Sequence, residues 1–113
     1  PYNSKTRSWP VASDVPSLYR PVVLACLDVM RASGVPWGMY GAMFLQTLNL
    51  PAWVADVPLW AATYGEAVKV PRPWKEAAVW QYEGDVAIAG AKVDFNRVLA
   101  AGGMTAVRTA MGS

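Results

Sequence analysis

Residues 79–96 read VWQYEGDVAIAGAKVDFN and contain two apolar runs, which predict two neighbouring strands. The first run ends in Trp80-Gln81-Tyr82, and the polar residues Glu83-Gly84-Asp85 predict a turn. The second run is interrupted at Gly90 and ends in Val93-Asp94-Phe95-Asn96. A carboxylate and an amide therefore lie at a predicted strand end, where α/β folds place ligands and catalytic groups. Asp94 is the leading functional candidate.

The rest of the chain alternates strand signals with helix signals. Strands are predicted at residues 9–14, 36–41, 57–62, 77–82 and 86–94, and helices at 17–32, 42–48 and 95–111. The strand signals are short, continuous apolar runs, which are typical of strands buried on both faces of a parallel sheet. The order predicts an α/β fold with mainly parallel strands, either a barrel or a doubly wound sheet. The length of 113 residues indicates one domain, residues 1–113.

The composition favours association. Hydrophobic residues make up 54% of the chain and charged residues 16%, against a usual charged fraction of about 25%. So little polar surface favours burial against another copy, another chain or a missing part of the same domain. The chain begins at Pro1 without an initiator Met, which we interpret as a processed, trimmed or partial sequence.

Several classes of function lack support in the sequence. A net charge of +2 without a Lys/Arg cluster gives no reason to expect a nucleic-acid partner. The absence of His excludes a His-based triad and most zinc sites. With one Cys and scattered carboxylates, we expect no metal and no cofactor. No apolar run reaches the roughly 18–20 residues of a membrane span, so none is predicted.

Six Trp and five Tyr are many for this length. Such rings are typical of a cleft that stacks sugars, but large aromatic side chains also dominate protein cores. Tyr40, Trp60 and Trp80 are candidate stacking residues, and the core interpretation stays open for each. Gln81 and Asn96 carry amides that either bind sugar hydroxyls or satisfy backbone groups at strand ends.

Trp80-Gln81-Tyr82, followed by Gly90-x-x-Val93-Asp94-x-Asn96, resembles the closing hairpin of the family-25 glycoside hydrolases, the lysozyme-like muramidases. It is also similar to the related glycoside-hydrolase-like domains of actinobacteria and their phages. Residues 10–15, 34–40 and 58–65 resemble the preceding strands of that family. The resemblance covers nearly the whole chain and corresponds to the C-terminal half of a family domain.

The resemblance implies half of a (β/α) barrel that acts on peptidoglycan outside the cell or at the cell wall, with or without delivery by a phage as an endolysin. It implies Asp14 and Asp94 as catalytic residues, with substrate bound by Tyr40, Trp60, Trp80, Gln81 and Asn96. Pro16 stands where the family has its proton-donating Glu. The alternative is therefore a non-catalytic module that binds cell-wall glycans or has a structural role. Completion by another chain or association into an oligomer is a further expectation.

Glycoside hydrolysis generally requires two carboxyl groups, about 5–5.5 Å apart for retention or about 6.5–9.5 Å apart for inversion. If their strands are parallel members of one barrel, Asp14 and Asp94 face the same open end. The alternative for each is a structural role as the N-cap of a following helix, because Asp is a good N-cap residue.

Overall fold

A computed structural model describes residues 15–112 of the chain. The chain divides into two units, Pro1–Ser33 and Gly34–Ser113. In the first unit, helix α1 spans Val15–Ser33. Its position agrees with the helix predicted at residues 17–32, and Gly34 follows its last residue with a φ of 71°, the left-handed conformation that glycine adopts without strain. The strand predicted at residues 9–14, together with Asp14, lies outside the described residues.

The second unit contains a four-stranded mixed sheet with the order β1-β2-β3-β4. The strands are β1 (Met39–Gly41), β2 (Leu59–Ala62), β3 (Val79–Ile88) and β4 (Ala91–Val98). β1 pairs with β2, and β2 with β3, in parallel, whereas β3 and β4 are antiparallel. The prediction of an α/β fold with mainly parallel strands is therefore confirmed at this level.

Two 3₁₀ helices, Met43–Leu48 and Ala52–Asp56, connect β1 to β2. The first one coincides with the short helix predicted at residues 42–48. It ends at Asn49, which has a φ of 48°, and asparagine tolerates this left-handed conformation better than most residues. The segment therefore reverses direction between two parallel strands without a long α-helix.

The hairpin that joins β3 to β4 turns at Ala89 and Gly90, not at residues 83–85 as predicted. Both turn residues have positive φ, 50° and 82°, as a tight two-residue hairpin loop requires. The polar residues 83–85 instead lie inside β3, where the pairing with β4 shifts register between Gln81 and Glu83 and again between Glu83 and Val86. An irregular, exposed strand segment accommodates these residues without ending the strand.

The helix predicted from residue 95 onward begins later. Residues 95–98 continue β4, because Asn96 pairs with Gln81 and Val98 pairs with Val79. Helix α2 then spans Gly103–Ala110. The alternative role of Asp94 as the N-cap of a helix is consequently excluded, since Asp94 lies inside β4.

The two faces of the sheet differ in burial. One face carries Leu59, Ala61 and Trp80, which are buried together with Leu45 of the first 3₁₀ helix. Leu45 packs directly on Gly41, where an added Cβ would come within 2.6 Å of a Leu45 methyl group. The pairing registers place Tyr40 beside Trp60 on the opposite face of the sheet, and Gln81 beside Asn96. Since side chains alternate along a strand, this second face carries most of the candidate site residues.

Candidate functional site

Gln81 lies at the centre of a polar cluster on the second face of the sheet, although its side chain is only 3% exposed. Its Oε1 accepts hydrogen bonds from the hydroxyls of Tyr40, at 2.8 Å, and Tyr64, at 2.9 Å. Its Nε2 donates to Oδ2 of Asp94 at 3.2 Å. We call Tyr40, Tyr64, Gln81 and Asp94 the Gln81 cluster. A phenol can donate and a carboxylate accepts, so these partners define which end of the amide faces each of them.

Asp94 accepts a hydrogen bond on each carboxylate oxygen. Oδ2 receives the Gln81 amide, and Oδ1 receives the backbone N–H of Asp85 at 3.0 Å. Asp85 has a φ of 54°, within the irregular part of β3. The register shift of the hairpin therefore directs a backbone donor at Asp94, and two donors fix the plane of the carboxylate.

Aromatic rings border the Gln81 cluster on its solvent side. Tyr40 and Trp60 make an edge-to-face contact, with ring centroids 5.5 Å apart and an interplanar angle of 90°. The indole N–H of Trp60 donates to Oδ1 of Asn96 at 2.8 Å, which connects β2 to β4 across β3. Tyr40, Trp60 and Tyr64 are 55%, 42% and 60% exposed as whole residues, so they are accessible to a ligand.

Tyr64 is electrostatically linked to the cluster. Partial desolvation raises the pKa of its hydroxyl above the usual 10.0, and the neighbouring Tyr40, Asp94 and Asp85 raise it further. Each of these effects disfavours the phenolate, because a negative charge there would lose hydration and meet other negative charges. Tyr64 is therefore a hydrogen-bond donor throughout the neutral pH range.

An apolar cavity of about 480 Å³ adjoins the rings. Tyr40, Trp60 and Asn96 belong both to its lining and to the site, while Val98 and Met104 line its apolar part. Ligand pockets typically combine an apolar lining with a few polar groups that fix orientation. The polar groups of the site thus lie next to a space that can receive an apolar substituent.

The structure brings most of the sequence-predicted site residues together. Gln81 of β3 joins Tyr40 of β1, Asp94 of β4 and Tyr64, which follows β2, by hydrogen bonds. The predicted residues that meet on this face are Tyr40, Trp60, Gln81, Asp94 and Asn96. Asp14, the other predicted catalytic residue, lies outside the described residues.

Trp80 is placed elsewhere. Its side chain is 8% exposed, and its indole N–H donates to the backbone carbonyl of Thr63 at 2.8 Å. Trp80 precedes Gln81 in β3, so the two side chains leave opposite faces of the sheet. The structure therefore favours the core interpretation of Trp80 over the stacking interpretation.

Sequence reasoning missed the contribution of Tyr64, Gly84 and Asp85. Tyr64 lies just beyond the carboxyl end of β2, a position where α/β folds place ligand-binding groups, so this signal was present. The local sequence predicts only a turn for Gly84 and Asp85. Their roles depend on the register shift in the hairpin, which no local pattern reveals.

Two further findings concern residues 15–112. No group of three or more His, Cys, Asp or Glu side chains there is arranged to hold a metal ion. No helix in that part of the chain combines the length and the apolar character needed to cross a bilayer.

Taken together, the sheet and the Gln81 cluster define an α/β protein with a carboxylate site bordered by aromatic rings. No protein-family model matches the chain, and no curated protein matches it significantly.

Proposed function

We propose that this protein is a peptidoglycan-directed glycoside hydrolase of lysozyme type. The observation that carries the proposal is the position of Asp94 in one cluster with Gln81 and the partly exposed rings of Tyr40 and Tyr64. Sugar recognition combines ring faces that contact the apolar side of a pyranose with amides that bind its hydroxyls. The Gln81 cluster supplies the ring faces and the carboxylate, while Trp60 and Asn96 extend the same surface.

In this proposal Asp94 is the unprotonated carboxylate of the reaction. It accepts hydrogen bonds on both oxygens, and an acceptor carboxylate suits a nucleophile, a general base or a group that stabilises positive charge at the sugar. A second carboxyl group must protonate the leaving oxygen. The resemblance implies Asp14 as the other catalytic carboxyl, although Pro16 stands at the family's proton-donor position. Asp85 is a further carboxyl close to the cluster, since its charge acts on Tyr64.

We also propose that the sheet is the C-terminal half of a (β/α) barrel. The parallel order β1-β2-β3 and the polar cluster on one sheet face support this proposal. Among the described residues, β1 pairs only with β2, so its other edge is open to a further strand. Such a strand would come from the same protein, from a second copy or from another chain. Action at the cell wall or outside the cell, with or without delivery by a phage, belongs to the same proposal.

The test is the release of reducing ends from purified peptidoglycan. We expect activity in the wild-type chain and a loss of at least about 100-fold in Asp94→Asn, which keeps the shape but removes the charge. Asp85→Asn tests the second carboxyl, and Glu66→Gln, an exposed acid in the loop after β2, is the matched control. Equal activity in wild type and Asp94→Asn would remove Asp94 from the mechanism.

A second candidate function is a glycan-binding or structural module without turnover. The specific observation is Pro16, which lacks an acidic group at the position where the resemblance expects a proton-donating Glu. This candidate predicts that peptidoglycan retains the protein in a pull-down while no reducing ends appear. A folded protein that neither cleaves nor binds any saccharide would contradict both candidates.

A further inference from the structure

The hydroxyl of Tyr64 reaches Asp94 only through an intermediary. It donates to Oε1 of Gln81, and the other end of the same amide donates to Oδ2 of Asp94. Tyr64 itself lies outside the regular strands, and its side chain is 60% exposed. The exposed Tyr64 ring can donate to the buried Gln81 amide only if neighbouring residues leave room for its hydroxyl.

Gly84 leaves the space that this contact needs. A Cβ built on Gly84 would overlap the Tyr64 hydroxyl, lie 2.9 Å from its Cζ and lie 3.4 Å from Oδ1 of Asp94. The φ of Gly84 is outside the left-handed region, so the backbone does not require a glycine here. Space for the phenol is what requires it. The absent side chain leaves space beside Asp94, and the Tyr64 hydroxyl occupies it.

We propose that Tyr64 is a positioning residue that, seated on Gly84, orients the Gln81 amide and thereby holds the Asp94 carboxylate in place. The Asp94 carboxylate only accepts, so it requires the N–H₂ end of the amide, and the two tyrosine hydroxyls hold the opposite end by donating to Oε1. The tyrosines thus restrain rotation of the amide, which keeps its N–H₂ group directed at Asp94.

The catalytic consequence rests on the proposed function. If Asp94 acts as the acceptor carboxylate, its orientation contributes directly to the rate, because small misplacements of a reacting group are costly. Loss of the Tyr64 hydroxyl should then lower kcat more than it raises KM, because the hydroxyl donates its hydrogen bond to Gln81 and not to the substrate. A sugar-binding role for the hydroxyl would instead raise KM.

The positioning itself is measurable without any substrate. The chain contains two glutamines, Gln46 and Gln81, so a Gln81→Glu variant assigns the Gln81 side-chain amide in a nitrogen–proton NMR spectrum. The backbone amide of Asp85 reports on Asp94 from its other side. The variants are Tyr64→Phe, which removes only the hydroxyl, and Gly84→Ala, which displaces the ring. Tyr82→Phe is the matched control, because the Tyr82 ring contacts Trp80 and Phe95 outside the Gln81 cluster.

We expect Tyr64→Phe and Gly84→Ala each to accelerate hydrogen exchange of the Gln81 side-chain amide and the Asp85 amide about 3- to 10-fold, and Tyr82→Phe to leave both unchanged. Unchanged exchange of both amides in a folded Tyr64→Phe variant would overturn the proposal, whatever Gly84→Ala does.

If the wild-type chain proves inactive on peptidoglycan, the proposed function fails while the exchange result still decides the positioning role. If Asp94→Asn abolishes activity but Tyr64→Phe changes neither exchange nor kcat, only the positioning proposal fails.

Discussion

The amide nitrogen of Gln81 donates a hydrogen bond to Oδ2 of Asp94 at 3.2 Å, across the antiparallel pair β3 and β4. Gln81 is buried, and its other end is held by two tyrosine hydroxyls. Asp94 cannot donate in its ionised form, so the amide and the carboxylate depend on each other. The site is therefore sensitive to single-atom changes at Gln81.

Substitution of Gln81 by Glu should destabilise the fold at about pH 7 by about 1–3 kcal/mol, because it replaces the donor facing Asp94 with a second carboxylate. The new side chain still accepts from Tyr40 and Tyr64, so the change isolates the contact with Asp94. As pH falls, protonation of the new carboxyl restores a donor and the deficit should shrink. Urea denaturation at about pH 7 and about pH 4 measures it. A deficit independent of pH would contradict this explanation, and Gln81→Met is the uncharged control.

Substitution of Asp94 by Asn should lower the pKa of Tyr64 towards its usual 10.0, since the Asp94 charge is one of the causes that raise it. Absorbance or NMR titration of the tyrosines measures the shift, with Tyr64→Phe used to assign the signal. Asp56→Asn is a suitable control, because Asp56 lies at the end of the second 3₁₀ helix and is not among the groups that raise this pKa.

The raised pKa of Tyr64 also affects the stability of the fold at alkaline pH. Tyr64 ionises at higher pH in the folded chain than in the unfolded chain, so the folded state is favoured while the hydroxyl is protonated. This contribution is fully present below about pH 10 and is lost as pH rises through the folded-state pKa. Thermal unfolding should show a smaller decrease in Tm across that range for Tyr64→Phe than for wild type. Equal decreases in Tm for the wild type and Tyr64→Phe would contradict this contribution of Tyr64 to stability.

Trp80 and Trp60 should respond differently to truncation. Trp80 is buried and bonded to the Thr63 carbonyl, so Trp80→Ala should cost about 3–5 kcal/mol of unfolding free energy. Trp60 is 42% exposed, and Trp60→Ala should cost less while weakening retention on peptidoglycan. Chemical denaturation and glycan pull-down on both variants measure the two effects. Loss of glycan retention in a folded Trp80→Phe variant, with normal retention in Trp60→Ala, would reverse the assignment of the two rings.

Substitution of Ala89 by Asn should stabilise the chain by about 0.5–1 kcal/mol. Ala89 has a φ of 50° and precedes Gly90 in the two-residue hairpin turn, where Asn-Gly is the preferred pair. The reciprocal change, Gly90→Ala, should destabilise it, because Gly90 has a φ of 82°. Differences in urea midpoint measure both changes. Destabilisation by Ala89→Asn would show that the turn lies elsewhere, for example at residues 83–85.

Local sequence patterns predicted the elements whose signals are contained within a few residues. Helix α1 has a glycine immediately after its last residue, and β1 and β2 are short apolar runs, so their existence was predictable. The position of the hairpin turn was predicted incorrectly for the same reason. Glu83-Gly84-Asp85 resembles a turn more closely than Ala89-Gly90 does, and only the pairing partners decide which one reverses the chain.

The sequence by itself determined the class of fold and the kinds of groups available: apolar strands, many aromatic rings, few charges and no histidine. It also singled out Tyr40, Trp60, Gln81, Asp94 and Asn96 as candidates. Only the tertiary structure decided that Trp80 belongs to the core, that the strand of Asp94 continues to Val98, and that Tyr64 and Gly84 belong to the site. The reason is that strand pairing sets which face each side chain occupies, and a shift of one residue in register reverses that face. Register is a relation between segments distant in sequence, so it has no signature in either segment alone.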